Sequence, residues 1–468
     1  MAFAAKEKPT TQFTSMTPFV CVAFAAGLVV SCIPSPDSQA RHAGSSLALP
    51  KRFDATPAPV PNISSGLLSL FPDSRLRSYV NQALRSNPNL RASAARLEEA
   101  GFNTRKAYAP TLPSLTANVG SSRSRNPATS STSDRYSASL DAQWELDVWG
   151  RIRAGVSASY SDQKAAAADH AAAKQSIAAQ TMQAYFNLVL TEKLLGLSQR
   201  RLTSFNQTLK LVNRRFEAGT GNLGDVNLAR TDVENTRAQV AQRKDSRDQA
   251  ARRLATFTGS YPSARATASS WPSLRRGVPA GIPSTVMLNR PDIDAAYQRI
   301  RAADSRVTIA HRNLYPRFSL TANAGRQSST LRKLADSNFN VWSITGNMAA
   351  PLIDGGDRRA DLGAANARAK QALANYQSTV LNAFEEVENA LGSESYLLSQ
   401  QNSYRSALKA ARSAEDRIRR NYETGLVEIL TLLDAQRRSF STEEALINTT
   451  ALRYQNRVSL ALALGKGL

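Results

Sequence analysis

"RRFEAGTGNLGDVNLAR", residues 214–230, and "NYETGLVEILTLLDAQRR", residues 421–438, are two versions of one phrase. Phe216 and Tyr422, Glu217 and Glu423, Gly219 and Gly425, and Ala229 and Ala435 all stand 206 positions apart, as do Gly150 and Gly356 far upstream. A constant offset held over that distance marks a tandem duplication, and it governs the reading of the whole chain. "NPNLRASAARLEEA" from Asn87 opens the first copy and "RPDIDAAYQRIRAA" from Arg290 the second, and "SLTAN" occurs in both, at 114 and 319.

Each half reads as helix, two strands, very long helix, Gly-marked turn, returning helix. The strand signal is cleanest at 137–148, where Ala138, Leu140, Ala142, Trp144, Leu146 and Val148 alternate with Ser137, Ser139, Asp141, Gln143, Glu145 and Asp147. Strands are expected at about 113–124, 136–149, 317–326 and 339–353, joined by polar loops at 121–135 and 326–337. Four strands in paired hairpins, apolar on one face and polar on the other, suit a transmembrane barrel. They are too few to close one, because single-chain barrels begin at about eight strands and lipid tolerates no open edge. The protein is therefore expected to oligomerise. Long helices are expected over 151–216 and 357–422, returning over about 225–256 and 428–463, with turns at 217–224 and 423–428. Leu188, Leu195, Leu202, Leu209 and Phe216 fall at strict sevens, a coiled-coil seam; in the second copy Tyr404, Leu408, Ala411, Ile418 and Tyr422 keep three-four spacing broken at Glu415. A Gly-, Pro- and Ser-rich connector, 259–289, divides the first repeat, 76–258, from the second, 290–468.

Residues 1–31 read as a secretory leader, with Lys6 and Lys8 ahead of the apolar run "FVCVAFAAGLVV". That run is too short to span a bilayer. "VVSC" resembles a bacterial lipobox, which would make Cys32 an acylated N-terminus leading into an extended arm, 32–75; the alternative is ordinary cleavage beside a chance cysteine. The other cysteine, Cys21, lies in the leader, so disulfide, metal-thiolate and cysteine-nucleophile chemistry drop out of the mature chain. The net charge of +22 is dispersed along the helices rather than clustered, which favours a solvated surface, or contact with anionic lipid, over nucleic-acid binding.

"WELDVWGRIR" (144–153), "APLIDGGDRRADL" (350–362), "YQSTVLNAFEEVENAL" (376–391) and "YETGLVEILTLLDAQR" (422–437) together resemble the outer-membrane channel components of tripartite efflux and type I secretion systems, and among these the lipidated drug-efflux channels. The resemblance covers nearly all of the mature chain. It implies an α+β membrane protein: a homotrimer whose four strands per protomer make one 12-stranded outer-membrane barrel, continued through the periplasm by an antiparallel α-helical coiled-coil barrel. It implies a passive exit duct rather than an enzyme, without cofactor or metal beyond N-palmitoyl and S-diacylglycerol groups on Cys32, working with a periplasmic adaptor and an inner-membrane transporter of the RND type. Type I protein secretion is the alternative. The resemblance makes Leu430 and Asp434 the rings that constrict the closed pore, Asp225 and Tyr422 the partners that hold neighbouring coils shut, and Gly219 and Gly425 part of the tip that meets the adaptor. A further arginine of some members falls at Val427. Physically, Leu430 and Asp434 are four apart and share a helix face, and symmetric copies of Asp434 would crowd carboxylates, raise their pKa and favour cations.

Other candidates are weaker. "GTGNLG" (219–224) fits GxGxxG but follows a long helix rather than a strand. His42, His170 and His311 are far apart in the sequence and unlike in context. Glu385, Glu386 and Glu388 read as a solvated or salt-bridged helix face before they read as acid/base pairs.

Overall fold

A computed structural model describes residues 37–43, 53–54, 70–128, 130–268, 270–274 and 289–465. The leader, Cys32 and most of the arm therefore lie outside the described residues, as do connector residues 275–288. The elements run α1 Gln39–Ala43, α2 Ser74–Ser86, α3 Pro88–Tyr108, β1 Ser114–Asn126, β2 Ser131–Leu146, α4 Arg151–Glu217, α5 Leu223–Phe257, α6 Pro291–Arg312, β3 Arg317–Ser328, β4 Asn340–Ala349, α7 Asp357–Glu423 and α8 Ile429–Ala463. The long helices α4 and α7 have 67 residues each and the returning helices α5 and α8 have 35 each, each pair offset by 206 positions. At about 1.5 Å per residue, α4 and α7 each contain roughly 100 Å of helix.

The chain divides into two compact units, and neither is a repeat. One combines Asn103–Tyr160 with Arg301–Gln371, and the other combines Ala40–Phe102, Ser161–Ile300 and Ala372–Leu468, so each draws on both copies of the duplication.

The first unit holds one antiparallel sheet in the order β1-β2-β3-β4. Residues opposite one another in such a ladder share a face. Leu115 pairs with Ala142, Ala142 with Ala322, and Ala322 with Ile344; the next row is Ala117, Leu140, Ala324 and Trp342. Below them run Trp144 with Leu320, then Leu146 with Phe318 and Met348. The alternate rows are Thr116, Asp141, Asn323 and Ser343, and Asn118, Ser139, Gly325 and Val341, polar but for Gly325 and Val341. One face is thus apolar across all four strands and still exposed: Val119 is 86% and Trp342 76% accessible. From Leu146 to Leu140 the apolar rows cover six residues of strand, about 20 Å, or roughly 16 Å of height at a tilt near 40°, and Val119 and Ala138 extend the apolar face on β1 and β2.

The sheet differs from the sequence expectation in its hairpins. β1 and β2 continue through the segment expected as a loop, leaving only 127–130 between them. Serines, threonines and the Arg123–Asp134 ion pair (3.3 Å) replace apolar pairs there, so hydropathy ends while the ladder goes on. β4 is shorter than expected and stops at Ala349, ahead of Pro351, which cannot donate to a ladder.

"WELDVWGRIR" explains how a strand becomes a helix. Glu145 pairs with Arg151 at 2.8 Å, and the Asp147 carboxylate accepts from the backbone N–H groups of Ile152 (2.8 Å) and Arg153 (2.9 Å), capping α4 from outside it. Gly150 turns the chain at φ +76°, and a Cβ there would stand 2.8 Å from Arg312 Nη1. Trp149 Nε1 donates to the Pro316 carbonyl at 2.7 Å.

In the second unit, Phe71, Leu76, Tyr185, Phe186, Leu188, Leu254, Tyr454 and Val458 form the main core. The described part of the connector docks on it: Trp271 stacks on Tyr454 at 4.8 Å, the Tyr454 hydroxyl donates to the Pro272 carbonyl, and Arg247 donates to the carbonyls of Ala264 and Ala266. The stripe Tyr376, Val380, Ala383, Val387 and Ala390 is the buried face of "YQSTVLNAFEEVENAL". Its acids serve structure: Glu386 binds Arg290 at 2.7 Å and Glu388 accepts the Asp54 backbone N–H at 2.8 Å. The arm is not simply extended, because it contains α1, and Phe53 is buried against Val387, Leu460 and Leu464.

The strict-seven seam holds in part, since Leu202 and Leu209 pack against the cluster around Phe205 and Val212. Leu188 is buried, but Leu195, Leu202 and Leu209 are only half-buried and Phe216 is exposed. The buried ridge of α4 near the turn is Phe205, Thr208 and Val212 instead. Two partner helices cover it where a single coiled-coil partner would cover a strict seam, so the ridge shifts toward the groove between them. Glu415, the break in the second seam, is itself buried and held by Arg419 at 2.9 Å.

Candidate functional site at the helix turns

The two quoted turns end their long helices in the same way. After α4, the N–H of Thr220 donates to Arg215 O (2.8 Å) and that of Gly219 to Phe216 O (3.0 Å), with Gly219 at φ +73°. After α7, Leu426 donates to Asn421 O (2.8 Å) and Gly425 to Tyr422 O (3.0 Å), with Gly425 at φ +83°. Each is a paired C-cap that needs a left-handed residue, which is why both copies keep glycine. "GTGNLG" is thus a helix stop and a restart between two helices. The restarts differ: Asn222 caps α5 by accepting the Asp225 N–H at 2.9 Å, whereas Glu428 gives α8 no side-chain cap.

Four helix ends meet here around Phe205, Val212, Val226, Ala229, Val233, Tyr422, Ile429, Leu432 and Leu433. Beneath that cluster lies a polar layer in which buried Gln436 donates to Ser204 (3.1 Å) and Thr208 (3.0 Å), beside Asp232 held by Arg437 at 2.8 Å.

On α8 the neighbours separate cleanly. Ile429, Leu432 and Leu433 are buried, while Leu430 is 55% accessible, so Leu430 is not a core leucine. Asp434 is exposed one turn further on, with Arg438 one turn beyond that. Leu430 and Asp434 thus share an outward face, as their spacing requires. The Asp434 carboxylate is not bare: Arg438 Nε donates to it at 2.9 Å. Within the protomer each Asp434 carboxylate thus has its own counter-cation, which would offset much of the repulsion expected between symmetric copies.

Tyr422 and Asp225 line one cleft of about 410 Å³, together with Arg215, Asn222, Gly425, Val427 and Leu430. Tyr422 is 3% accessible and packs inside its own protomer. Its partner is a residue the sequence reading passed over, Arg215. The Arg215 guanidinium lies 4.8 Å from the Tyr422 ring centroid, and its Nη1 donates to the Tyr422 carbonyl at 3.1 Å. Burial pushes the Tyr422 hydroxyl's pKa up; nearby Arg215 opposes that shift and Asp225 adds to it. The signal for Arg215 was present: Val427 leaves the turn without the arginine that the resemblance led one to seek there, and "RR" at 214–215 supplies one from the other copy.

His170 is engaged by Ser93 Oγ at 2.7 Å, and buried His311 lies edge-on to Tyr315. Among the described residues, no group of three or more His, Cys, Asp or Glu side chains is placed to hold a metal, and no helix is long and apolar enough to cross a membrane.

The sequence matches the outer membrane efflux protein family twice, over residues 79–260 and 282–466. The chain belongs to that family. Its relatives include the cation efflux system protein CusC of Escherichia coli, 30% identical over 97% of this chain and 98% of that one. Outer membrane protein OprJ of Pseudomonas aeruginosa is 32% identical over 85% of each chain. The probable outer membrane lipoprotein SilC of Salmonella typhimurium is 27% identical over 90% of this chain and 95% of that one. Among solved structures, the outer-membrane channel OprN superposes with TM-score 0.85 at 28% identity, covering 93% of this efflux protein and 98% of that chain. The open state of the Neisseria gonorrhoeae MtrE outer membrane channel does so with TM-score 0.83 at 28% identity, covering 93% and 97%. The protein is an outer-membrane efflux component.

Proposed function

We propose that this protein is the exit duct of a tripartite efflux pump, a homotrimer in which three four-stranded sheets close one 12-stranded barrel and the helix pairs form the periplasmic conduit. The observation that carries this reading is the sheet: its apolar face runs unbroken across four strands and is exposed. Water penalises such a face by about 25 cal/mol per Å², whereas lipid does not. Four strands leave edges that lipid also forbids, and further copies of the same sheet supply the missing pairs.

At the turns, Leu430 and Asp434 stand on the pore-facing surface of α8, with Arg438 balancing the charge. Arg215 ties α4 to the end of α7 within one protomer, with Tyr422 and Asp225 beside it, so the hairpin that carries the constriction separates from its neighbour only when that contact breaks. Exposed Leu223, Leu228 and Leu426 at the turns suit an adaptor's helical hairpins. Cys32 carries the lipid anchor. The duct has no chemistry of its own, and selectivity among solutes rests with the transporter behind it. Planar-bilayer recording of the detergent-extracted protein tests the reading: a slow-opening channel supports it, and a protein that neither inserts nor conducts contradicts it.

A further inference from the structure

The hairpin end of the sheet carries a charge that none of this uses, and the register shows which face bears it. Above the rows already described, Val119 pairs with Ala138 and Ala138 with Arg326, so Arg326 lies on the apolar face. The next row on that face is Ser121, Tyr136 and Ser328; then come Arg123 with Asp134, and Arg125 with Thr132. Arg135, opposite Ser122, lies on the polar face. Arg326 Nη1 donates to the carbonyls of Leu334 (3.3 Å) and Ala335 (2.9 Å), and so holds the 331–335 turn, with exposed Arg332 and Lys333, at this end of the sheet. Of the carboxylates at this end, Asp134 is engaged by Arg123 at 3.3 Å, and Asp336, just after the 331–335 turn, accepts the Asn338 backbone N–H at 3.0 Å.

The apolar band therefore ends in a row that holds Arg326, followed by Tyr136 and then by Arg123 and Arg125 on the same face. That is the depth of lipid headgroups. Guanidinium forks match phosphate oxygens two at a time, and a phosphomonoester carries between one and two charges near pH 7.

We propose that this outward rim, with Arg125, Arg332 and Lys333 as its accessible cations, binds the phosphomonoesters of lipid A in the outer leaflet. The proposal rests on the reading of the sheet as an outer-membrane barrel; its polar hairpins then face outward, because the opposite strand ends lead into the helices of the periplasmic conduit. Part of the +22 charge then serves to seat the barrel among anionic headgroups.

Native mass spectrometry of the full chain in detergent tests this with three probes: bisphosphoryl lipid A, the same lipid dephosphorylated, and phosphatidylglycerol. The wild type is expected to retain bisphosphoryl lipid A at least tenfold better than either alternative. Arg125→Gln lowers retention several-fold, and Arg125→Gln/Arg332→Gln/Lys333→Gln removes it. Arg135→Gln, which deletes the same charge on the opposite face, three residues along β2 from the Arg125 row, leaves it unchanged. Equal retention by the triple variant overturns the proposal, as does equal loss in Arg135→Gln, equal binding of the dephosphorylated lipid, or equal binding of phosphatidylglycerol. Conductance of the wild type in planar bilayers separates the two levels: a conducting channel indifferent to lipid A refutes only the rim, and a protein that never inserts refutes the barrel beneath it.

Discussion

Arg215→Ala should unlatch the closed duct while leaving its fold intact. The change removes a charge-assisted hydrogen bond to the Tyr422 carbonyl, 3.1 Å long, and a guanidinium 4.8 Å from the Tyr422 ring. Such a bond contributes about 1.5–3 kcal/mol and such a cation–π contact about 0.5–2 kcal/mol. Arg215 is only half-buried, so water replaces part of both on opening, and a net of about 1–2 kcal/mol per protomer remains. That shifts the ratio of open to closed hairpins by roughly 5–30-fold. Single-channel recording in planar bilayers should show longer openings and a larger mean conductance, with the assembly's thermal stability changed little. Arg215→Lys should fall between the two, because it keeps a cation over the ring and loses the fork. If Arg215→Ala gates like the wild type while Asp225→Ala opens the channel, Arg215 has no part in closure.

The other expectations concern the same turns, the sheet and the connector. Asp225→Ala and Tyr422→Phe should each raise single-channel conductance; if neither does, both leave the closing set. Leu432→Ala, at a fully buried position, should destabilise the turn bundle by about 2–5 kcal/mol in a thermal melt, whereas Leu430→Ala, two residues away and exposed, should barely move the melt and should widen the pore. Leu140→Arg, on the apolar face, should cost about 2–4 kcal/mol of membrane insertion and deplete the detergent-extracted oligomer, while Ser139→Arg on the opposite face should be tolerated; equal tolerance of both would contradict the lipid-facing assignment. Burial raises the Tyr454 pKa to about 12. Because the folded state favours the neutral phenol, about 2–3 kcal/mol of stability is present below pH 10 and is lost as pH rises from about 10 to about 12. Trp271 fluorescence should report the connector lifting over that window, and Tyr454→Phe should abolish the transition.

Much of the fold was legible because the duplication repeats each boundary. Gly219 and Gly425 mark helix ends at which no L-residue with a Cβ sits comfortably, and the alternation from Ala138 to Leu146 fixes both faces of β2. What was missed lay where pattern and packing part company. The hairpin ends stay in register through polar pairs and one ion pair, so a hydropathy reading cut them short. The strict sevens of α4 named a ridge beside the buried one, because periodicity shows the spacing of a face and not the direction from which partners approach it. Leu430 and Asp434 could be placed on one surface by their four-residue spacing alone. Arg438 at the same spacing was equally visible, but its neutralising effect depends on a side chain folding back toward Asp434. Arg215 escaped because its partner is 207 residues away and its role follows from an arginine missing at Val427.

If one protomer's sheet is a third of a barrel, the membrane particle holds three copies of the chain. The most direct measurement is the mass of the detergent-solubilised assembly by multi-angle light scattering, with the detergent contribution subtracted. Three protomers per particle are expected, from the same preparation that conducts in planar bilayers. A monodisperse monomer that stays soluble when detergent is withdrawn would contradict it.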